Sequence, residues 1–591
     1  MPNETMSAPA DLHCDLLVLG SGAGGMSAAV TAAHLGLQVI LAEKDPQVGG
    51  TTAWSGGWMW VPRNPLARAA GIDEPMEEPL KYLRHELGPR FDEARVTTYL
   101  QNAPRMVSFF QKHTRLQFID GNQIPDFHGL SPSASTGGRS VCAAPFDGRE
   151  LGADISLLKP PLWENTFMGL GIAAGAELRH YLNATRQLSS FKYVTHRIGA
   201  YVLDLLRHGR SMRLVNGHAL AGALLVSARQ AGVDLMVQSP ALELLREQGR
   251  VTGAVLDTAQ GRRVVRTRCG VVLATGGFPH DAARKQRMLS HVQDGLDHCS
   301  AASWGNTGDG LRLGEAVGAQ VSQDLVQAAA LAPVSVLTRA NGQRVHFPHL
   351  IERAKPGLIA VTGEGRRFCN EADSYHDFMQ ALLKATPDGL PATAWLLADH
   401  DFVRRYGLGA VKPAPMPLSA HVRSGYLKRA DTLQALAQSC GLNPEVLSQT
   451  VERYNAMAVS GTDHDFAKGA TPYNCIQGDG TRGLSNPCMA PMQQGPYYAV
   501  QVVQGSLGTF AGLKVSPQGE VLDAQSQPIA GLYASGNDMS SMMGGNYPSG
   551  GITLGPAMTF GFVLAQHAAG KTIPLESLQT KENPCTTTSA F

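Results

Sequence analysis

The chain has 591 residues, of which 65 are glycine, well above the usual ~7 %. Fifty Lys and Arg against 49 Asp and Glu leave a net charge of +1, which speaks against nucleic acid as a partner. No apolar run reaches the ~20 residues that cross a bilayer. The polar stretch 1–11 also lacks an export pattern, so a cytoplasmic protein is expected.

Residues 15–19 are a short run of strand formers. Gly20-Ser21-Gly22-Ala23-Gly24-Gly25 follows at once, then an Ala-rich helix over 26–35 stopped by Gly36, then a strand over 37–42 ending at Glu43-Lys44. Strand, G-x-G-x-x-G, helix, strand and acid together predict a dinucleotide site. The first glycine permits the tight turn, the second admits backbone to a pyrophosphate, and the third lets helix and strand pack closely. The helix N-terminus offers N–H groups and the positive end of its dipole, and Glu43 is placed to accept from ribose hydroxyls. A second loop, Gly49-Gly50-Thr51-Thr52-Ala53-Trp54-Ser55-Gly56-Gly57, comes too soon after the acid for an NAD site to need it. Trp54, Trp58 and Trp60 are equally suited to wall a flat apolar pocket or to fill the core.

A helix over 217–231 ends at Gly232. Strands over 233–237, 241–245, 251–256 and 264–266, split by turn signals, feed a strand from 271 that ends in Ala274-Thr275-Gly276-Gly277. A helix over 309–318 follows. Asp431 is the expected cap of a helix ended by Gly441, and Asn443-Pro444 opens another to about 459. The nine cysteines include no C-x-x-C pair and no zinc spacing with His, so reduced thiols and no metal site are expected. Asp463-His464-Asp465 is expected to be a solvated loop. Glycine concentrates again at the far end, where Gly536-Asn537 leads through Gly544-Gly545-Asn546-Tyr547-Pro548-Ser549-Gly550-Gly551 to Thr553-Leu554 and a helix over 557–569.

These blocks, together with Asn306-Thr307-Gly308-Asp309-Gly310 and Arg366-Arg367-Phe368-Cys369-Asn370-Glu371, resemble the flavoprotein superfamily of fumarate reductase and succinate dehydrogenase. The resemblance runs in the same order from residue 15 to about 569. It implies an α/β protein with a Rossmann-like FAD-binding domain, in two parts at 12–305 and 497–570. An α+β catalytic cap is inserted at 306–496, and 571–591 is a loose tail. FAD would be met by Gly20 to Gly25, Glu43, Lys44, Gly50, Thr51, Thr52, Ser55, Gly56 and Gly57, and by Ala241, Ala274, Thr275, Gly276, Gly536, Asn537, Thr553 and Leu554. Relatives with covalent flavin use a His near the second loop. Here only Thr51, Thr52 and Ser55 stand there, so noncovalent FAD is expected.

Fumarate reductases carry an Arg in the second glycine cluster, where this chain has Tyr547. The Tyr547-Pro-x-x-Gly551 element is similar to that of the 3-ketosteroid dehydrogenases, in which a Tyr hydroxyl and a Gly N–H bind the ketone oxygen. The same family places a base Tyr just past the Asn-Glu motif, which points to Tyr375, and the reaction implied is desaturation beside the ketone with hydride passing to FAD. Enzymes of the 1-ene type add a second Tyr upstream; Phe127 stands in that place, with His128 or His376 as substitute partners. Tyr547-Pro548-Ser549 also satisfies the Tyr-x-Ser spacing of the 4-ene (5α) enzymes. The 1-ene reading is the expectation, with a small apolar ketone such as a steroid as substrate and no electron acceptor identified. The 4-ene reading through Ser549, a fumarate-reductase-type reductase and a non-catalytic flavoprotein are the alternatives.

Overall fold

In a computed structural model of the protein, residues 11–295 and 297–578 are described. Strand β1 (Leu12–Leu19), helix α1 (Ala23–His34) and strand β2 (Val39–Ala42) form the first unit. Helix α2 (Asn216–Gln230), strands β3 (Asp234–Met236), β4 (Gly261–Leu273) and β5 (Pro528–Ala534), and helix α3 (Leu554–Ala569) complete the frame. The sheet order is β5-β4-β1-β2-β3, all neighbours parallel, with Glu520–Leu522 antiparallel at the β5 edge. An antiparallel meander, Ala241–Glu247 and Arg250–Thr258, continues from β4. Leu16, Leu17 and Val18 have no exposed surface, as expected of a parallel strand covered on both faces.

α1 begins at Ala23, three residues before the start expected from the apolar run, because the glycine turn is itself the first helical turn. Its small residues let α3 approach: a Cβ on Gly561 would lie 2.6 Å from Gly24 O, and Ser27 Oγ donates to Met558 O at 2.7 Å. The two distant glycine clusters therefore meet along one helix pair.

The cap is a six-stranded antiparallel sheet ordered Arg344–Pro348, Val334–Thr338, Tyr497–Val503, Thr393–Asp399 and Leu358–Thr362, with Lys428–Ala430 also pairing Tyr497–Val503. Leu358 and Ala360 pack with Phe378 and Leu382 of the helix Tyr375–Ala385, and Ile359 and Val361 pack with Leu436 and Leu447 on the other face. This alternation is the two-residue strand period in a sheet buried on both sides. The strand Tyr497–Val503, expected to open the returning FAD segment, instead pairs across seven residues of Thr393–Asp399, so the cap runs past 496 to 503.

Other local differences have physical causes. Thr432, not Asp431, caps the helix Leu433–Cys440, its side chain accepting from Ala435 N; Gly441 ends it in the left-handed region, as expected. Asn443 caps Pro444–Ser460 through Glu445 N and Val446 N, also as expected. Asp463 is not solvated: it is 5 % exposed and pairs with Arg367 at 2.8 Å. The start of the tail is packed, not loose. Ile573 is buried, its carbonyl accepts from Arg105, and Leu575–Leu578 is helical; 579–591, with Cys585, lie outside the described residues, as do 1–10. The helices Ala176–Asn183 and Leu188–His208 form an excursion that the motif analysis did not anticipate. Among the described residues no helix is long and apolar enough to cross a membrane.

Candidate active site

One cavity of ≈1490 Å³ opens between the FAD frame and the cap. That exceeds the ~300–1,000 Å³ of a site for one drug-sized ligand, so it has room for a dinucleotide and a second molecule. Every residue expected at the cofactor lines it except Gly25. Gly25 serves the packing role instead: a Cβ there would lie 2.0 Å from Gly20 O.

The walls fit a dinucleotide flavin. An added Cβ on Gly50 or Gly536 would meet nothing within 4 Å, and on Gly22 only Thr52 Oγ1 at 3.7 Å. Bare backbone thus faces the cavity where a phosphate must approach closely. The N-cap residues of α1 and α3, Gly22 and Thr553, make no side-chain cap of their own, and Gly22, Ala23, Thr553 and Leu554 at those ends line the cavity.

Polar side chains fix these loops to one another. Glu43 accepts from Ser21 N at 3.0 Å and Ser21 Oγ at 2.6 Å through Oε2, and from Asp45 N at 2.9 Å through Oε1. Lys44 Nζ pairs with Asp309 at 2.6 Å. Thr52 Oγ1 accepts from Ala23 N at 2.9 Å, and Thr51 Oγ1 accepts from Ser303 N and Asn306 Nδ2. Asp538 ties the two halves together. Fully buried, it accepts from Thr275 N and from Gly277 N at 2.9 Å, and burial pushes its pKa up despite those donors. Sequence reasoning passed over Asp538; an acid inside a glycine-rich loop was the available signal. Trp54 and Trp58 line the cavity, whereas Trp60 lies in the core with Nε1 on Asp126 at 2.8 Å.

A cluster of aromatic rings stands at the cavity wall. Tyr375 starts its helix at the position after Ser374, whose hydroxyl caps Asp377 N. Arg353, 1 % exposed, holds the approach to it by donating to His349 O, Glu371 O and Asp373 O. Tyr547 comes from the second glycine loop, which Phe127 N and Tyr82 Oη grip at Pro548 O, at 3.0 and 2.6 Å. The rings of Tyr375 and Tyr547 meet edge to face at 5.0 Å, and Phe127 lies 5.6 Å from the first and 5.8 Å from the second. Burial pushes the Tyr375 hydroxyl well above its ordinary pKa, and the nearby Tyr547 adds to this. Burial raises Tyr547 too, against interactions with Tyr375 and Thr553 that lower it.

Gly551 lines the same cavity at φ +92°, pressed so closely on Met59 that a Cβ would lie 2.7 Å from its Cα. Its carbonyl accepts from Trp60 N and Gly555 N, and its N–H makes no hydrogen bond to any described residue. Ser549 is not in the lining, and its buried hydroxyl has no partner among the described residues. His128 also lies outside the lining. It binds Glu86 through Nδ1 and Asp377 through Nε2 at 2.9 Å; burial disfavours its charge, but the two carboxylates outweigh that and lift its pKa to about 10. His376, ring 5.7 Å from that of Tyr547, accepts from Leu331 N and is pushed down to about 4 by burial. Tyr473, unnoticed in the sequence, completes the cluster at 4.5 Å from Phe127.

A further wall comes from the helical excursion. Phe191, Val194, Ile198, Tyr201 and Leu205 of Leu188–His208 line the cavity, spaced three and four apart as one helical face requires.

A doubly wound sheet, a G-x-G-x-x-G turn with its acid, and paired phenols on one cavity define a dinucleotide-dependent oxidoreductase. The chain belongs to the FAD binding domain family, whose model matches residues 15–554. It is 37 % identical over 93 % of its length, and 93 % of the relative's, to a 4-oxocyclohex-2-ene-1-carboxylate 5-dehydrogenase of Sinomonas cyclohexanicum. It is 34 % identical to a 3-oxosteroid 1-dehydrogenase of Mycolicibacterium smegmatis, over 93 % and 96 % of the two chains. Among solved structures, a 3-ketosteroid Δ1-dehydrogenase from Sterolibacterium denitrificans, in complex with 1,4-androstadiene-3,17-dione, superposes with a TM-score of 0.87. That pair is 34 % identical and covers 94 % of this chain and 99 % of the other. The protein is an FAD-dependent dehydrogenase of the class acting on CH–CH groups.

Proposed function

We propose that the protein introduces a C=C bond beside the ketone of an alicyclic substrate, in the manner of a 3-ketosteroid Δ1-dehydrogenase. The carrying observation is that Tyr375 from the cap, and Tyr547 and the unengaged Gly551 N–H from one distant loop, line one cavity. Tyr547 O–H and Gly551 N–H donate to the ketone oxygen and stabilise the charge that gathers there when the α C–H breaks. Tyr375 takes the α-proton. A free phenol has a pKa near ~10, so Tyr375 depends on its neighbours to act as a base. FAD, when bound, supplies the two-electron acceptor for the hydride from the β-carbon. Tyr547 stands where a dicarboxylate would want a cation, which favours this reading over fumarate reduction. Ser549, outside the lining, favours it over the 4-ene (5α) relay.

A 3-ketosteroid is the proposed substrate, because the apolar face of Leu188–His208 extends the cavity beyond what a single ring needs. A smaller oxocyclohexanecarboxylate is the second reading. It is favoured by the 37 % identical relative and by Lys412 in the lining. FAD is held without a covalent link, as the second glycine loop, 49–57, carries no His. The reaction runs in the cytoplasm, in keeping with the free thiols of the described cysteines. The test is anaerobic bleaching of the flavin by saturated and unsaturated 3-ketosteroids, cyclohexanones and their carboxylates, with the position of the new double bond read by NMR. Bleaching by a 3-ketosteroid with a 1-ene product is expected; bleaching by none of the ketones overturns the reading.

A further inference from the structure

Four cationic side chains line the cavity, Lys44, Arg210, Arg213 and Lys412. Lys44 pairs with Asp309, and Arg213 pairs with Glu177. Arg210 and Lys412 make no ion pair among the described residues. Arg210 belongs to the FAD domain, where it stands beside His218 and donates to Ile155 O at 3.1 Å. Lys412 comes from the cap. Its Nζ donates to Glu164 O and to no other described residue, so two of an ammonium's three donors are unused.

The carboxylates near Lys412 are committed elsewhere. Glu164 is buried and held by Arg339 at 2.8 and 2.7 Å, and Glu352 Oε1 lies 2.6 Å from His349 Nδ1. Val411, Pro413, Ala414 and Pro415 line the cavity with Lys412, so the charge stands in an apolar stretch of wall. Burial pushes its pKa down to about 8, against Glu164 and Glu352, which raise it. The loop that carries it is fixed on both sides. Leu408 and Val411 exchange backbone hydrogen bonds at 3.0 and 3.1 Å, Ala410 N donates to Tyr426 Oη at 3.0 Å, and Ala414 N donates to Arg404 O at 2.8 Å. The titratable groups facing Lys412 are Glu164, Glu352 and His421. Neither Tyr375 nor Tyr547 is among them, so this charge sits apart from the phenols. A half-paired cation in a low-dielectric wall is costly, and an anion brought into the cavity removes that cost.

We propose that Lys412 determines substrate specificity by binding a carboxylate that the ketone substrate carries at the end away from Tyr547 and Gly551. The inference rests on the ketone reading above and adds a charge to the substrate. A ketone oxygen held at one end and a carboxylate at the other fix a flat ring system in one orientation along the cavity. They thereby decide which C–H faces Tyr375. The ammonium suits this task, being a compact charge with rotatable donors, and a charge-assisted hydrogen bond is stronger in an apolar wall than in water. Two sources share this chemistry, a single-ring keto acid and a 3-ketosteroid whose side chain ends in a carboxylate.

The test uses ketones that bind without being dehydrogenated, titrated calorimetrically into the FAD-loaded protein at pH 7. One pair is 4-acetylbenzoate and its methyl ester; the other is 3-oxochola-1,4-dien-24-oate and its methyl ester. In at least one pair the acid should bind tighter than the ester by about tenfold or more, the size of one charge-assisted hydrogen bond. The pair that shows the preference tells a single ring from a steroid. Lys412→Gln should abolish the preference by weakening the acid alone, and Lys412→Arg should keep it. As Lys412 loses its proton between pH 7 and 9, wild-type affinity for the acid should fall severalfold while that for the ester stays flat. Should Lys412→Gln fail to load FAD, this pH difference decides. Equal affinities in both pairs, or no binding by either acid, overturn the proposal. So does an acid affinity that stays flat from pH 7 to 9. A preference that survives Lys412→Gln also overturns it, and passes the role to Arg210. None of these readouts needs turnover, so ketones that bind but never bleach the flavin overturn the dehydrogenase reading alone.

Discussion

The ring of Tyr375 stands edge-on to the ring of Tyr547, centroids 5.0 Å apart and planes at 80°, and the two come from different domains. Tyr375 opens a cap helix, whereas Tyr547 sits in the loop before α3. Substrate chemistry at this pair therefore depends on the seam between the domains. In the proposed reaction Tyr547→Phe removes the ketone's phenol donor, and Tyr375→Phe removes the base. Each should keep FAD and lose ~10²-fold or more in kcat. Flavin absorbance with single-turnover bleaching checks this, and a near-wild-type rate in either variant removes that residue from the chemistry.

The pH dependence follows from the direction of the Tyr375 shift. Burial, with Tyr547 beside it, places its pKa well above 10, so the reactive phenolate is scarce at neutral pH and grows as pH rises. kcat/KM should climb about tenfold per pH unit through the alkaline range; a flat profile from pH 7 to 10 contradicts the assignment. Stability moves the opposite way. In the unfolded chain tyrosines ionise near ~10, while Tyr375 and Tyr547 stay protonated in the fold. The unfolded state then binds fewer protons, and stability falls as pH rises beyond ~10. Thermal melts from pH 8 to 11 measure it.

Much of this site is local in sequence. Gly20, Gly22 and Gly25 announce their roles by spacing, and Gly20 at φ +103° shows why: a Cβ there would lie 2.3 Å from Ala274 O. Tyr547 and Gly551 are legible because one short loop carries both. Tyr473 and Asp538 were not, since each acquires its meaning from a partner far along the chain. The strand Tyr497–Val503 is apolar on both faces and abuts Gly505, so its composition suits either sheet; only its pairing with Thr393–Asp399 assigns it to the cap. Asp431 and Thr432 both suit an N-cap, and backbone geometry chooses between neighbours. The helix Leu188–His208 carries its apolar face toward the cavity and leaves Leu188 and Leu206 exposed, which blurs the one-sided pattern that marks an ordinary surface helix.

Gly22 and Gly20 separate cofactor binding from folding. At Gly22 the backbone is extended (φ −70°, ψ 179°) and a Cβ would project into the cavity with only Thr52 Oγ1 near. Gly22→Ala should fold with an unchanged melting temperature in the apo form and bind FAD at least tenfold more weakly, seen by equilibrium titration. Gly20→Ala should fail to fold, because its Cβ collides with backbone. Equal FAD affinity in Gly22→Ala and wild type contradicts the placement of the pyrophosphate.

Glu43 joins the two functions differently. Its carboxylate already holds Ser21 and Asp45 N, so its loss loosens the loop as well as any ribose contact. Glu43→Ala should release FAD on gel filtration, yet keep wild-type kcat in whatever fraction stays loaded. A lower kcat per bound flavin would show that Glu43 reaches the chemistry.

The cap has its own buried ionic centre, and its loss should be felt as stability. Arg367 bridges Glu371 at 2.8 Å and Asp463 at 2.8 Å, and Lys468 adds a third contact to Glu371 at 3.3 Å. Burial alone would raise the Glu371 carboxyl, but Arg367 and Lys468 outweigh it and hold the pKa at about 2. An acid ionises near ~4.3 in the unfolded chain, so this contribution is complete above that pH and is lost as pH falls toward 2. Arg367→Ala takes the bridging cation from buried Asp463 and leaves Glu371 with Lys468 alone, and should cost about 3–5 kcal/mol, the range for breaking a buried pair by removing one partner. Urea unfolding at pH 7 reads that cost. At pH 3 the same substitution should cost less, because the orphaned acids can take up protons in the variant. An equal loss at both pH values would mean that Arg367 stabilises the cap by packing on Tyr454 and Phe466, 5.3 and 5.0 Å from its guanidinium, and not by charge.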